Sequence, residues 1–181
     1  SRKRSAYHNV VLIDGKGQTG EGDEWFECRR LRMEKRAPRI VRFESHPEWA
    51  AVSAEIAQAY DPELGLMRWD RHLLMIRPNL WVVADELEAD HEARYDVLYH
   101  SWGEEFQTDR PFESAGPAQW ETGGTRGRLR VRLLTPEAVE GVAEKQFQEG
   151  IGAHRDRWMN LLRFFNPRLV RHLWCVVLLE A

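Results

Sequence analysis

Three histidines stand where apolar strands should begin or end: His8 in "YHNVVLIDGKGQ", His72 in "RWDRHLLMIRPNLWVVADEL" and His100 in "YDVLYH". An imidazole can carry a proton near neutral pH or ligate a metal, and burying one costs free energy unless its nitrogens find partners. Two other histidines read as ordinary. His91, between Asp90 and Glu92, looks like solvated turn material, and His46 precedes Pro47 in another turn. No HExxH and no close HxH pair occurs, so a metal site would have to be assembled from distant strands.

Other routes to chemistry are poorly supplied. "GKGQTGEG" lacks the Gly-Lys-Ser/Thr ending of a phosphate loop, and its glycines fit turns with positive φ. No GxSxG nucleophile turn is present. Asp85, in "WVVADELEAD", reads as a strand end or turn cap. Cys28 and Cys175 form no CxxC pair, which argues against a thiolate knuckle; they read as two buried thiols, with a disulfide left open. Tryptophan is abundant, at eight residues. Trp25, Trp69, Trp102 and Trp120 could stack on sugar rings, or simply pack a core.

These side chains need a frame. At 181 residues, 43% hydrophobic and 30% charged, the chain suits one domain with a sizeable core. A formal net charge of −3 exerts no general attraction on nucleic acid or an anionic membrane. The apolar run at 173–179 is far too short to cross a bilayer, and "SRKRSAYHN" lacks the apolar stretch of a signal peptide. The absence of an initial methionine and the early first strand suggest a piece of something longer.

Short strands account for most of the pattern. They are expected at 10–13, closed by an Asp14-Gly15 turn, at 25–33, at 39–44, at 73–76 and 80–83 across an Arg77-Pro78-Asn79 break, at 95–100, at 128–133 and at 173–179. In "RGRLRVRLLT", Leu129, Val131 and Leu133 alternate with Arg128, Arg130 and Arg132. The spacing predicts an all-β, antiparallel sandwich with a few short helical segments. Strands near Val10, Phe43, Leu74, Val82, Val97, Val131 and Val177 should supply its core. "EWAAVSAEIAQAY" fits helix by propensity and strand by alternation. "AHRDRWMNLLRFFNP" is the best helix candidate or a long ordered loop, and 103–127 reads as a long connection.

"YHNVVLIDGKGQ" resembles the opening of the C-terminal β-sandwich of the heparinase II/III-like family, with its His-Asn pair, apolar strand and Asp-Gly turn. "AQAYDP", "RWDRHLLMIRPNLWVVADEL" and "YDVLYH" are similar to later elements of that domain, so the likeness spans residues 5–102. It implies a single domain over 1–181 belonging to a polysaccharide lyase, whose N-terminal α/α toroid would lie upstream. The implied reaction is β-elimination on an acidic, uronate-containing polysaccharide such as a glycosaminoglycan or alginate. The implied site centres on His8, as a catalytic group or a zinc ligand. Tyr7, Asn9, Trp25, His100 and Trp102 would bind substrate, and Asp23 and His72 would join His8 around Zn2+. Adjacent strand residues point to opposite faces, so Tyr7 and His8 should not share a cleft. The rival readings are a carbohydrate-binding module, using tryptophans and the Arg128, Arg130, Arg132 row, and a purely structural sandwich.

Overall fold

The computed structural model describes residues 4–20, 37–101, 110–124, 127–148 and 157–181. Among them are twelve strands in two antiparallel sheets: β1 (Val11–Ile13), β2 (Arg39–Ser45), β3 (Trp49–Glu55), β4 (Leu66–Ile76), β5 (Leu80–Ala93), β6 (Tyr95–Ser101), β7 (Glu113–Gly116), β8 (Gln119–Gly124), β9 (Gly127–Leu133), β10 (Glu140–Gln148), β11 (Arg157–Phe165) and β12 (Val170–Glu180). The smaller sheet runs β1-β6-β11-β10 and the larger β2-β3-β4-β5-β12-β9-β8-β7. Among the described residues, helix is confined to single 3₁₀ turns at Ser5–Tyr7, Ala57–Ala59 and Pro62–Leu64. The antiparallel sandwich expected from the alternation is what forms.

Local chemistry sets the registers. Asp14 and Gly15 both adopt positive φ, and Ile13 and Lys16 exchange backbone hydrogen bonds across them, as in the hairpin turns that Asp-Gly favours. The break at 77–79 joins β4 to β5 so that Ile76 faces Leu80 and, further along, Arg71 faces Asp85. The 128–133 alternation holds: Val131 and Leu133 are buried and Arg128, Arg130 and Arg132 are exposed. The run at 173–179 becomes part of β12, which lies between β5 and β9.

The core sits where the two sheets overlap. Val83, Leu87, Val131, Leu133, Leu173 and Val177 of the larger sheet meet Val11, Tyr95, Val97, Leu162 and Phe164 of the smaller. Four strands cannot cover eight. β2 lies at the edge of the larger sheet, and Phe43 there is 70% exposed, so the expectation that it feeds the core is corrected. Leu74 and Val82 are only half-buried, while their strand neighbour Val83 is buried.

Other outcomes concern local pattern, the first settling a segment left open between helix and strand. "EWAAVSAEIAQAY" forms β3 and a 3₁₀ turn, because pairing on both sides, with β2 and β4, outweighs alanine's helical propensity. The described part of "AHRDRWMNLLRFFNP" is a strand, β11, not a helix, held between β10 and β6. Within 103–127, residues 113–124 form the β7–β8 hairpin rather than a connection. Asp85 lies in the middle of β5, and His91 lies on the same strand rather than in a turn. The strand expected at 25–33, together with Cys28, lies outside the described residues. Cys175 is a buried free thiol.

Gly141 of β10 pairs with Phe164, and a Cβ there would overlap the Trp120 ring and sit 2.8 Å from Phe164 Cε1. Gly127, at the start of β9, has nothing within 4 Å of the same position. Gly141→Ala is expected to lower unfolding free energy by about 1–3 kcal/mol through overpacking. Gly127→Ala should change it by less than about 0.5 kcal/mol. Denaturant unfolding of both variants checks this pair of expectations.

Candidate functional site

Residues 7–9 do not lie on a strand. Tyr7 closes the Ser5–Tyr7 turn, and the His8 N–H donates to the Ser5 carbonyl at 3.0 Å. Alternation therefore does not govern Tyr7 and His8, and the expectation that they face opposite ways has no basis here. Tyr7 is half-buried; His8 and Asn9 are exposed. The Val10 N–H donates to the His8 carbonyl, and β1 begins one residue later.

Asn9 is the joint between this segment and both sheets. Its Oδ1 accepts the His100 backbone N–H at 2.7 Å and lies 3.2 Å from His100 Nδ1. Its carbonyl accepts Arg71 Nη1 at 2.7 Å. His100 closes β6 against β11 and β10, and its Nε2 stands 3.0 Å from Gln146 Oε1 of β10. Burial is the chief reason that the His100 pKa lies below the usual histidine value. The hydrogen bonds to Gln146 and to the Ala6 backbone oppose the shift, and the charge of nearby His8 adds to it.

Arg71 is fixed in turn by Asp85. The guanidinium donates through Nε to Oδ1 at 2.7 Å and through Nη2 to Oδ2 at 3.0 Å. The Trp69 indole N–H donates to the same Oδ1 at 2.7 Å, and the guanidinium carbon lies 5.1 Å from the Trp69 ring centre. The Arg71 side chain is 15% exposed and that of Asp85 is 0%. Burial pulls the Arg71 pKa down, but the adjacent carboxylate outweighs it and the net shift is upward, so the guanidinium stays charged. The buried Tyr99 hydroxyl has no hydrogen-bond partner among the described residues. Its pKa is pushed up by burial and by the charge of Asp85, with Arg71 opposing.

The expected site residues are thus partly gathered. Tyr7, His8, Asn9 and His100 come together. His72 does not join them. It projects from the face of β4 opposite to Arg71, with its Nδ1 2.9 Å from Ser53 Oγ and its ring 6.2 Å from that of Trp174. The larger sheet stands between His72 and Asn9, so His72 does not fit a zinc set shared with His8. Asp23, Trp25 and Trp102 lie outside the described residues. No group of three or more His, Cys, Asp or Glu among the described residues is arranged to hold a metal. As for sugar stacking, Trp69 is buried and Trp120 packs edge-on against Phe164.

Arg71 and Gln146 escape a reading of motifs. Arg71 had a signal: across a hairpin turning at 77–79, residue 71 must oppose residue 85, and both share the parity of buried Trp69 and Val83. Gln146 had none, since its pairing with β11 spans residues of no distinctive pattern.

Comparison with curated proteins returns no match. Among solved structures, the chain is similar to the heparan sulfate lyase HepC from Pedobacter heparinus, with a TM-score of 0.72 and 12% identity, covering 98% of this chain and 24% of that one. A crystal structure of heparinase III gives a TM-score of 0.68 at 13% identity, covering 97% and 23%. At such identities the likeness is one of fold, and this chain spans about a quarter of the length of those structures. The family model "Heparinase II/III-like, C-terminal" matches residues 2–159. With that match across most of its length, on the sandwich described above, this chain belongs to the heparinase II/III-like, C-terminal family.

Proposed function

We propose that this domain forms one wall of the cleft of a polysaccharide lyase that cleaves uronate-containing glycans by β-elimination. Membership of the family supports a lyase-related domain. The observation that carries the finer reading is the exposed His8, on a turn fixed through Asn9 to His100 on one sheet and Arg71 on the other. Such bracing limits the motion of a side chain that must meet a substrate, and misplacement by about 1 Å can cost on the order of a hundredfold in rate.

In the elimination a base removes the proton at C5 of the uronate, the electron pair forms the C4=C5 bond, and the C4–O bond breaks. An acid protonates the departing oxygen, and a neutralising group withdraws charge from the carboxylate so that the C5 proton becomes acidic. His8 is the group that this domain offers for proton transfer, with Tyr7 and Asn9 beside it for substrate contact. His100, whose backbone N–H donates to Asn9 Oδ1, holds the turn. The other groups would come from an upstream α/α toroid. Arg130 is a poor candidate for a glycan-binding row, being occupied by Glu121 and Glu180.

The direct test follows ultraviolet absorbance of the unsaturated uronate product on heparan sulfate, alginate and other uronate glycans. The isolated 181-residue chain should show at most trace turnover. A protein carrying the upstream domain should be active and lose at least about a hundredfold on His8→Ala. Robust turnover by the isolated chain, or full activity of the His8→Ala protein, would contradict the proposal.

The depressed His100 pKa has a sign that can be checked. Below about pH 6.5 the unfolded chain takes up a proton at residue 100 that the folded chain resists. Stability from this group is therefore present above that pH and falls as the pH drops toward the lower folded value. Unfolding curves of wild type and His100→Gln between pH 5 and 8 should diverge in this way. The wild type is expected to lose more stability than the variant as the solution is acidified.

A further inference from the structure

The ring of His91 lies between two carboxylates from different elements. Its Nε2 is 2.8 Å from Asp14 Oδ2, in the turn after β1, and its Nδ1 is 2.7 Å from Asp90 Oδ1 on β5. Ionised carboxylates only accept, so both ring nitrogens must donate, which the imidazolium alone can do. The arrangement reaches further on each side. The second Asp14 oxygen accepts the Arg94 N–H at 2.9 Å, and the Asp14 N–H donates to the Arg94 carbonyl at 2.8 Å. Asp90 is seated on Gly65: its N–H donates to the Gly65 carbonyl at 3.0 Å, and a Cβ at 65 would overlap the carboxylate. Gly65 also has φ +64°, a conformation that favours glycine. Three segments therefore meet at one ring: the turn after β1, the far end of β5 and the loop entering β4.

What this junction holds matters for the site. β1 is a three-residue strand at the edge of the smaller sheet and pairs with β6 alone among named strands. Its start is held through Asn9 and the Leu98 N–H bond to the Val10 carbonyl, its middle by the Tyr60 hydroxyl on the Val11 carbonyl, and its far end through Asp14. Residues 7–9 run directly into it. We propose that His91 is a pH-operated latch that holds the Asp14-Gly15 turn, and with it the edge strand leading from residues 7–9, against β5.

The charges around the ring favour the two carboxylates. Arg94 turns its guanidinium to Asp96 and over the Phe165 ring, and Lys16, in the same turn as Asp14, is exposed. Tyr95 directs its hydroxyl to the Arg171 carbonyl. The hydrogen bonds to Asp14, then to Asp90, raise the His91 pKa. Asp14 shifts the other way: burial raises its pKa, but the bonds from His91 and the Arg94 N–H prevail and lower it. The closed latch thus contributes in full below about pH 6.5, the free histidine value, and its contribution is lost as pH rises through the higher folded value.

Nuclear magnetic resonance titration of the 181-residue chain between pH 5 and 9 tests the latch. The His91 ring should titrate above the free value, and the Gly15 backbone amide should shift with the same midpoint. In His91→Gln the Gly15 step should vanish while the rest of the spectrum persists. Asp14→Asn, which removes one carboxylate and leaves the ring in place, should bring the His91 midpoint down. A His91 midpoint at the free value, a Gly15 step that survives His91→Gln, or a His91 midpoint unmoved by Asp14→Asn would overturn the proposal.

Discussion

A guanidinium and a carboxylate withdrawn from water each lose several kcal/mol of hydration, and Arg71 and Asp85 are placed between the sheets all the same. Their two-pronged contact, the Trp69 indole N–H and the Asn9 carbonyl satisfy most of the groups that burial strips of water. An ion pair so enclosed is a weak source of net stability compared with apolar packing. Its geometric consequence is larger. The one guanidinium nitrogen that leaves the pair reaches a backbone carbonyl of a segment outside the larger sheet, and so fixes where residues 7–9 lie.

That placement depends on unequal sheets. The smaller sheet covers only the middle of the larger one, leaving β2 with Phe43 exposed. Arg71 stands on β4, toward the β2–β3 side of the larger sheet. A charged side chain there can keep its carboxylate partner dry on β5 while reaching outward to Asn9. The buried Tyr99 hydroxyl, without a hydrogen-bond partner among the described residues, and the Cys175 thiol, whose pKa burial and then Asp85 push upward, border the same pair. Other buried polar side chains, such as Asn160 and Thr122 on the Arg110 carbonyl and Asn166 between Tyr95 and Ala93, are bonded to backbone groups instead.

The strand pattern was largely legible because alternation and turn chemistry are local. Val131, Leu133 and the Asp14-Gly15 turn behave as their neighbours dictate. Where tertiary pairing decides, local signals fail. β11 carries a helix-like composition but is claimed on both edges by β10 and β6, and β3 overrides its alanines for the same reason. Of the candidate site, His8 and His100 stand out by type and position, and Asn9 only through the family resemblance. His72 could not be excluded without knowing which face of β4 points inward. His91 looked like exposed turn material because its partner Asp14 lies 77 residues away in sequence.

The central claim is that Arg71 and Asp85 act as one unit, and a double-mutant cycle measures it most directly. Arg71→Met and Asp85→Leu, each alone, leave a buried charge unpaired and should each cost about 3–5 kcal/mol in denaturant unfolding. The double variant should cost clearly less than the sum, with a coupling of about 1–3 kcal/mol. Additive losses, with no coupling beyond about 0.5 kcal/mol, would contradict the account.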